Sequence, residues 1–146
     1  MKVDFSEISD AFDFVNFGSI YEHQAFIDKE TGQIYYHSEF GDDIDELPED
    51  IDSDRYIGIP HKNELDLGIK LVLSFAYSYL PGEAEEIQAM FRRKGAYSKY
   101  KSLLDGKGML EKWYEFEATE QEKALREWCE EQSIQIDDDL TPPASR

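Results

Sequence analysis

Apolar residues near the start of the chain fall at helical intervals. Phe5, Ile8, Phe12 and Val15 recur with that spacing, and Asp4 and Glu7 stand at capping-box distance ahead of them. The pattern predicts a helix over 4–16, closed by Gly18. The period then changes. The runs YEHQAFID and QIYYHSEF, both rich in β-formers, flank the turn KETG, whose last residue is Gly32. With Asp28 opposite Gln33, Phe26 pairs with Tyr35 and Ile27 with Ile34. Both faces of such a hairpin carry apolar groups, so it calls for a cover and a third strand, which RYIGIP at 55–60 supplies.

Helical spacing returns at residue 63. Over 63–80, Leu65, Ile69, Val72, Ala76 and Tyr79 share one face, and Leu67, Leu71, Leu73 and Phe75 spread the apolar surface further round. This reads as a helix buried on most sides, the hub of the fold. Pro81-Gly82 interrupts the chain, a helix follows over 82–94, and Gly95 divides it from another over 96–105 whose inner face holds Tyr97, Tyr100 and Leu104. The GKG at 106–108 is a further break, after which 109–116 supplies Leu110, Trp113, Tyr114 and Phe116. Thr119 and Glu122 then read as a capping box opening a last helix with Ala124, Leu125, Trp128 and Cys129 on its buried stripe. The expected fold is α+β: a small N-terminal antiparallel sheet, hairpin plus third strand, packed with a helical C-terminal half. Residues 1–136 are expected to form a single domain, and 137–146 a disordered tail, acidic and then proline-containing.

Charge sharpens this picture. The 146 residues carry 33 acidic and 15 basic groups, a net of −18. Repulsion on that scale keeps a protein in solution and opposes general affinity for nucleic acid or anionic membrane, because phosphate binding depends on displacing counterions with cations. The most apolar stretch, 65–80, is too short and too polar to span a bilayer, and no leader-like segment opens the chain. A lone cysteine, Cys129, forms no internal disulfide. Together these predict a soluble cytoplasmic protein.

The order of several segments resembles a known family. The ETG hairpin, the acidic stretch leading to RYIGIP, then KGAYSKYKSLL, GMLEKWYEF and ALREWCEE follow one another as in the bacterial Uncharacterised Protein Family 0158, over roughly residues 4–135. Tyr97 and Tyr100 stand where that pattern carries phenylalanine, and Cys129 where it carries leucine. The resemblance implies a fold and no activity.

Three sets of residues invite a functional reading. The first is a basic island: seven of the 15 cations lie in 92–112, against Asp105 and Glu111. Arg92, Arg93, Lys94, Lys99 and Lys101 mix there with Tyr97 and Tyr100, as in proteins that bind single strands. Helical spacing puts Lys99 and Lys101 on opposite borders of the buried stripe, which favours lysines that relieve the surrounding negative charge by pairing with nearby acids. The second is the acidic loop 41–54, with Asp42, Asp43, Asp45, Glu46, Glu49, Asp50, Asp52 and Asp54 and no base. Asp50, Asp52 and Asp54 have the alternation that opens a calcium loop, but Arg55 and His61 occupy the positions where an EF-hand needs glycine and a carboxylate. The third set is His23, His37 and His61. The hairpin register sends the first two to opposite sheet faces, which suits ordinary polar surface or interface positions, and no metal-ligand spacing joins them. Cys129 lies among glutamates, which raise a thiol pKa, and no nucleophile elbow or phosphate loop is present.

No catalytic residue, metal or cofactor is assigned. The expected function is a non-catalytic acidic interaction or regulatory protein that engages a partner with a basic surface, in the manner of an inhibitor, an immunity protein or a nucleic-acid mimic. The alternative is a nucleic-acid or nucleotide binder using the basic island, and a third reading is an acid/base or metal-assisted enzyme.

Overall fold

The computed structural model describes residues 2–18, 22–38 and 46–137. The chain forms two compact units, one of residues 1–62 and 124–146 and the other of residues 63–123. The fold is α+β, as the sequence predicts. The tail expected from residue 137 lies outside the described residues from 138 onward, and Asp137 itself donates its amide to the Val3 carbonyl at 2.8 Å.

In the first unit, strand β1 (Lys2–Val3) leads into helix α1 (Phe5–Val15). The Asp4 carboxylate caps α1 by accepting from the Ser6 amide at 3.0 Å, and Phe5, Ile8, Ala11, Phe12 and Val15 form its buried face. Strands β2 (His23–Asp28) and β3 (Ile34–Ser38) make the hairpin in the anticipated register, Phe26 opposite Tyr35 and Ile27 opposite Ile34. Gly32 sits in the turn at φ +81°, a conformation that L side chains rarely adopt. Strand β4 (Tyr56–Gly58) pairs antiparallel with β2 on its other edge, giving the order β3-β2-β4. One pairing was not foreseen: β5 (Gln135–Ile136) runs parallel to β1, with Val3 opposite Ile136.

In the second unit, a 3-10 turn at Lys62–Leu65 precedes α2 (Ile69–Tyr79), so the helix expected from residue 63 begins six residues later. The reason is local. Asp66 takes φ +59°, and Asn63 Oδ1 packs against Gly68 where any Cβ would collide with it. The buried face of α2 is Leu71, Val72, Phe75 and Ala76, while Ile69, Tyr77 and Tyr79 are exposed. It is therefore not covered on most sides as expected. Helix α3 (Ala84–Met90) is shorter than predicted, and α4 (Ala96–Gly106) starts at Gly95, whose φ is +74°.

Helix α5 runs unbroken over Leu110–Glu131. The predicted boundary at Thr119 is absent. Capping-box spacing inside a run of strong helix formers, with no Gly or Pro to stop the preceding turn, does not end a helix. Trp113 from α5 centres the second unit's core, with ring contacts to Phe75 at 5.3 Å, Tyr100 at 5.2 Å and Phe116 at 6.2 Å between centroids. The first two are edge-to-face, an arrangement that contributes about 0.5–1.5 kcal/mol each beyond the area buried. Tyr100 is wholly buried in the same core and its hydroxyl has no hydrogen-bond partner among the described residues. Burial accordingly pushes that phenol above its ordinary pKa.

Two substitutions test this core and the helix beside it. Tyr100→Phe removes the orphaned hydroxyl and keeps the ring, and is expected to raise unfolding stability by about 1 kcal/mol in urea titrations. Thr119→Ala is expected to raise it by a few tenths of a kcal/mol, as alanine does inside an exposed helix. Were Thr119 an N-cap, the same change would cost about 1 kcal/mol.

Candidate functional site

The acidic segment is built around a cation that is already taken. Arg55 lies directly after the run 46–54, and its guanidinium grips Asp28 at the end of β2. Nε donates to Oδ1 at 3.0 Å and Nη2 to Oδ2 at 2.9 Å. Asp28 is 2 % exposed and also accepts from the backbone amides of Glu30 at 2.8 Å and Thr31 at 3.4 Å, so one carboxylate shapes the hairpin turn and anchors the third strand. Arg55 Nη1 lies 3.8 Å from Glu30 Oε1. The hydrogen bonds from Arg55 hold the Asp28 carboxyl well below the usual carboxylate range, overcoming the opposite effect of burial. This pair was missed in the sequence. The signals were an aspartate three residues before the turn's Thr31-Gly32 and an arginine standing alone after a run of acids.

With Arg55 committed, its neighbours are left bare. Glu46, Glu49, Asp52 and Asp54 are exposed, and among the described residues none has a Lys or Arg within ion-pair distance. Asp50 is exposed and interacts with the Tyr56 hydroxyl, which it helps to keep protonated, although burial is the larger cause of that tyrosine's raised pKa. Asp42, Asp43 and Asp45 lie outside the described residues.

The basic island behaves differently from the expectation of internal pairing. Of its seven cations only Lys107 meets a carboxylate among the described residues, Glu83 Oε2 at 3.3 Å. Lys101 Nζ lies over the Tyr97 ring at 5.1 Å and Lys112 Nζ over the Tyr79 ring at 4.7 Å. Arg92, Arg93, Lys94 and Lys99 are exposed and form no ion pair among the described residues. Tyr97 is 37 % exposed. Its hydroxyl accepts from Trp113 Nε1 at 3.0 Å and donates to Glu117 Oε2 at 3.2 Å. Desolvation pushes it up to about 12, against the lowering effect of the Trp113 bond.

The histidines do not assemble. Gln24, not His23, faces His37, so the two histidines project from opposite sheet faces. His23 and His37 are half-buried rather than open to solvent. The His23 ring packs against Phe14 at 4.9 Å and Phe17 at 5.6 Å, with Glu22 Oε2 3.2 Å from Nε2, and His61 is buried. Among the described residues no three His, Cys, Asp or Glu side chains are placed to hold a metal ion. Cys129 is fully buried, and burial, rather than the neighbouring glutamates, pushes its thiol up to about 11; Arg126 acts weakly in the other direction. No described helix is long and apolar enough to cross a membrane.

The model of an uncharacterised protein family (UPF0158) covers residues 1–145. Neither a curated protein nor a solved structure matches the chain.

The Asp28 pair sets a pH dependence. Its folded pKa is depressed, so its contribution is fully present above the unfolded aspartate value near 3.8 and fades as pH falls below that. Asp28→Asn is expected to lower stability by about 1–3 kcal/mol at pH 7. The gap between native and variant should narrow in chemical denaturation curves as pH drops from 5 to about 2.

Proposed function

The chain belongs to the uncharacterised protein family UPF0158, a membership that fixes no activity, and we propose that it is a non-catalytic interaction protein whose acidic unit engages a partner with a basic surface. The distribution of charge supports this reading. Residues 63–123 carry nine Lys and Arg against eleven Asp and Glu, a net of −2, and the remaining −16 of the total −18 falls on the other unit. The single observation that carries it is the commitment of Arg55 to Asp28 and Glu30, which leaves Glu46, Glu49, Asp52 and Asp54 exposed without a cation of their own among the described residues.

Unpaired carboxylates on a strongly negative unit gain more from meeting lysines and arginines of another molecule than they lose in dehydration at the rim of an interface. Such a surface speeds association with basic proteins and repels other polyanions. Inhibition of a nucleic-acid-binding protein by mimicry of its ligand is the sharpest form of this role. The buried Cys129 thiol suits a reducing compartment, and we place the protein in the cytoplasm.

The test is a salt-graded capture from lysate by the native protein and by the quadruple variant Glu46→Gln, Glu49→Gln, Asp52→Asn, Asp54→Asn. Native protein is expected to retain basic proteins that elute as ionic strength rises, and the variant to lose most of them. Its thermal midpoint should equal or exceed the native one, since self-repulsion falls. Retention of the same proteins by both, or elution that ignores salt, would refute the proposal.

A further inference from the structure

We propose that the junction of α3 and α4 is a contact surface for single-stranded nucleic acid, independent of the acidic unit. Between residues 92 and 104 the chain places five cations, Arg92, Arg93, Lys94, Lys99 and Lys101, and no acid. Sequence proximity becomes spatial proximity through the fold. The chain turns after α3, with the Arg92 amide bonded to the Ala89 carbonyl at 3.2 Å and the Arg93 amide to Met90 at 3.1 Å, passes through left-handed Gly95, and enters α4. The Lys99 amide reaches back to the Gly95 carbonyl at 3.3 Å, so this lysine stands one helical turn from the arginine pair's exit. Arg92, Arg93, Lys94 and Lys99 are all exposed and none meets a carboxylate among the described residues.

These cations relieve some of the chain's net repulsion from where they stand, but none is held in an ion pair among the described residues, and a phosphate backbone would neutralise several at once. The occupant is narrowed by what surrounds them. Tyr97 presents a partly exposed ring whose hydroxyl is tied to buried Trp113 and to Glu117, and Tyr114, at 44 % exposed, is a second ring nearby. A ring fixed in this way is a stacking platform for an unpaired base, available once Lys101 moves from its face to a phosphate. No aliphatic side chain in 92–104 is exposed, which disfavours insertion into a lipid surface. Glu117 beside the Tyr97 hydroxyl repels phosphate, so the backbone track is set along Arg92, Arg93, Lys94 and Lys99.

The experiment is fluorescence anisotropy with a labelled single-stranded RNA oligonucleotide and the full chain across a salt series. Native protein should bind at low salt, with log K falling linearly against log salt. Arg92→Ala with Arg93→Ala should weaken binding about ten-fold and flatten the slope by roughly 0.7 for each phosphate that is no longer neutralised. Tyr97→Leu should weaken it about ten-fold with the slope unchanged, and Tyr97→Phe, which keeps the ring but loses the ties that fix it, should weaken it less. Circular dichroism confirms that each variant is folded. The proposal falls if native protein does not bind at low salt, or if the arginine variant binds as well as native. It falls equally if duplex of the same sequence, or vesicles containing phosphatidylserine, are bound as tightly as the single strand. Because the acidic variant above leaves these residues intact, loss of one activity without the other separates the two surfaces.

Discussion

A carboxylate withdrawn from water at the end of a strand has to be met by donors, and Asp28 is met by an arginine and two backbone amides. Much of the first unit depends on that requirement. The amides belong to the hairpin turn, so the turn is locked to the same group that receives the arginine. The arginine precedes β4, and its own carbonyl accepts from the Lys29 amide at 2.8 Å, which brings the third strand against β2. Removing Arg55 would strand a buried carboxylate, whereas Arg55, whose side chain is 36 % exposed, would keep part of its hydration, so the dependence runs mainly from Asp28 to Arg55.

That fastening also decides what the surface is like. A loop rich in Asp and Glu ordinarily softens its charge by borrowing a neighbouring Arg or Lys. Here the neighbour is held by Asp28, and Glu46, Glu49, Asp52 and Asp54 face water without a cation among the described residues. In the other unit the reverse holds, with cations left exposed although acids are plentiful in the chain. A molecule shaped only to minimise its electrostatic energy would match each set with opposite charge. Leaving both unmatched is the physical basis for reading both as contact surfaces.

The hairpin was legible down to its register because a two-residue period, a glycine at the only left-handed position and a terminal Asp–Gln pairing admit one alignment. Helix α1 was legible for similar reasons of period and cap. The start of α2 was not, since apolar spacing continues smoothly through 63–68 and only the backbone at Asp66 and Gly68 reveals the break. Thr119 misled in the opposite sense, carrying a boundary signature within a stretch whose neighbours all favour continuation. The short β1–β5 ladder has two residues in each strand, too few for any period to show. The five cations could be located in advance, but which acids they meet is a property of side chains brought together from distant positions, and pairing of this kind leaves no local trace. Asp28 and Arg55, 27 residues apart, were hidden for the same reason.

The parallel ladder between the two ends of the described chain limits how the molecule can be shortened. Val3 hands its carbonyl to the Asp137 amide, so the first strand relies on residues that composition alone would assign to a dispensable acidic extension. Trimming from the C-terminal side that removes Asp137 therefore costs the bond to Val3. Cutting further back would untie the amino-terminal strand from its only ladder partner among the described residues and expose the entry to α1.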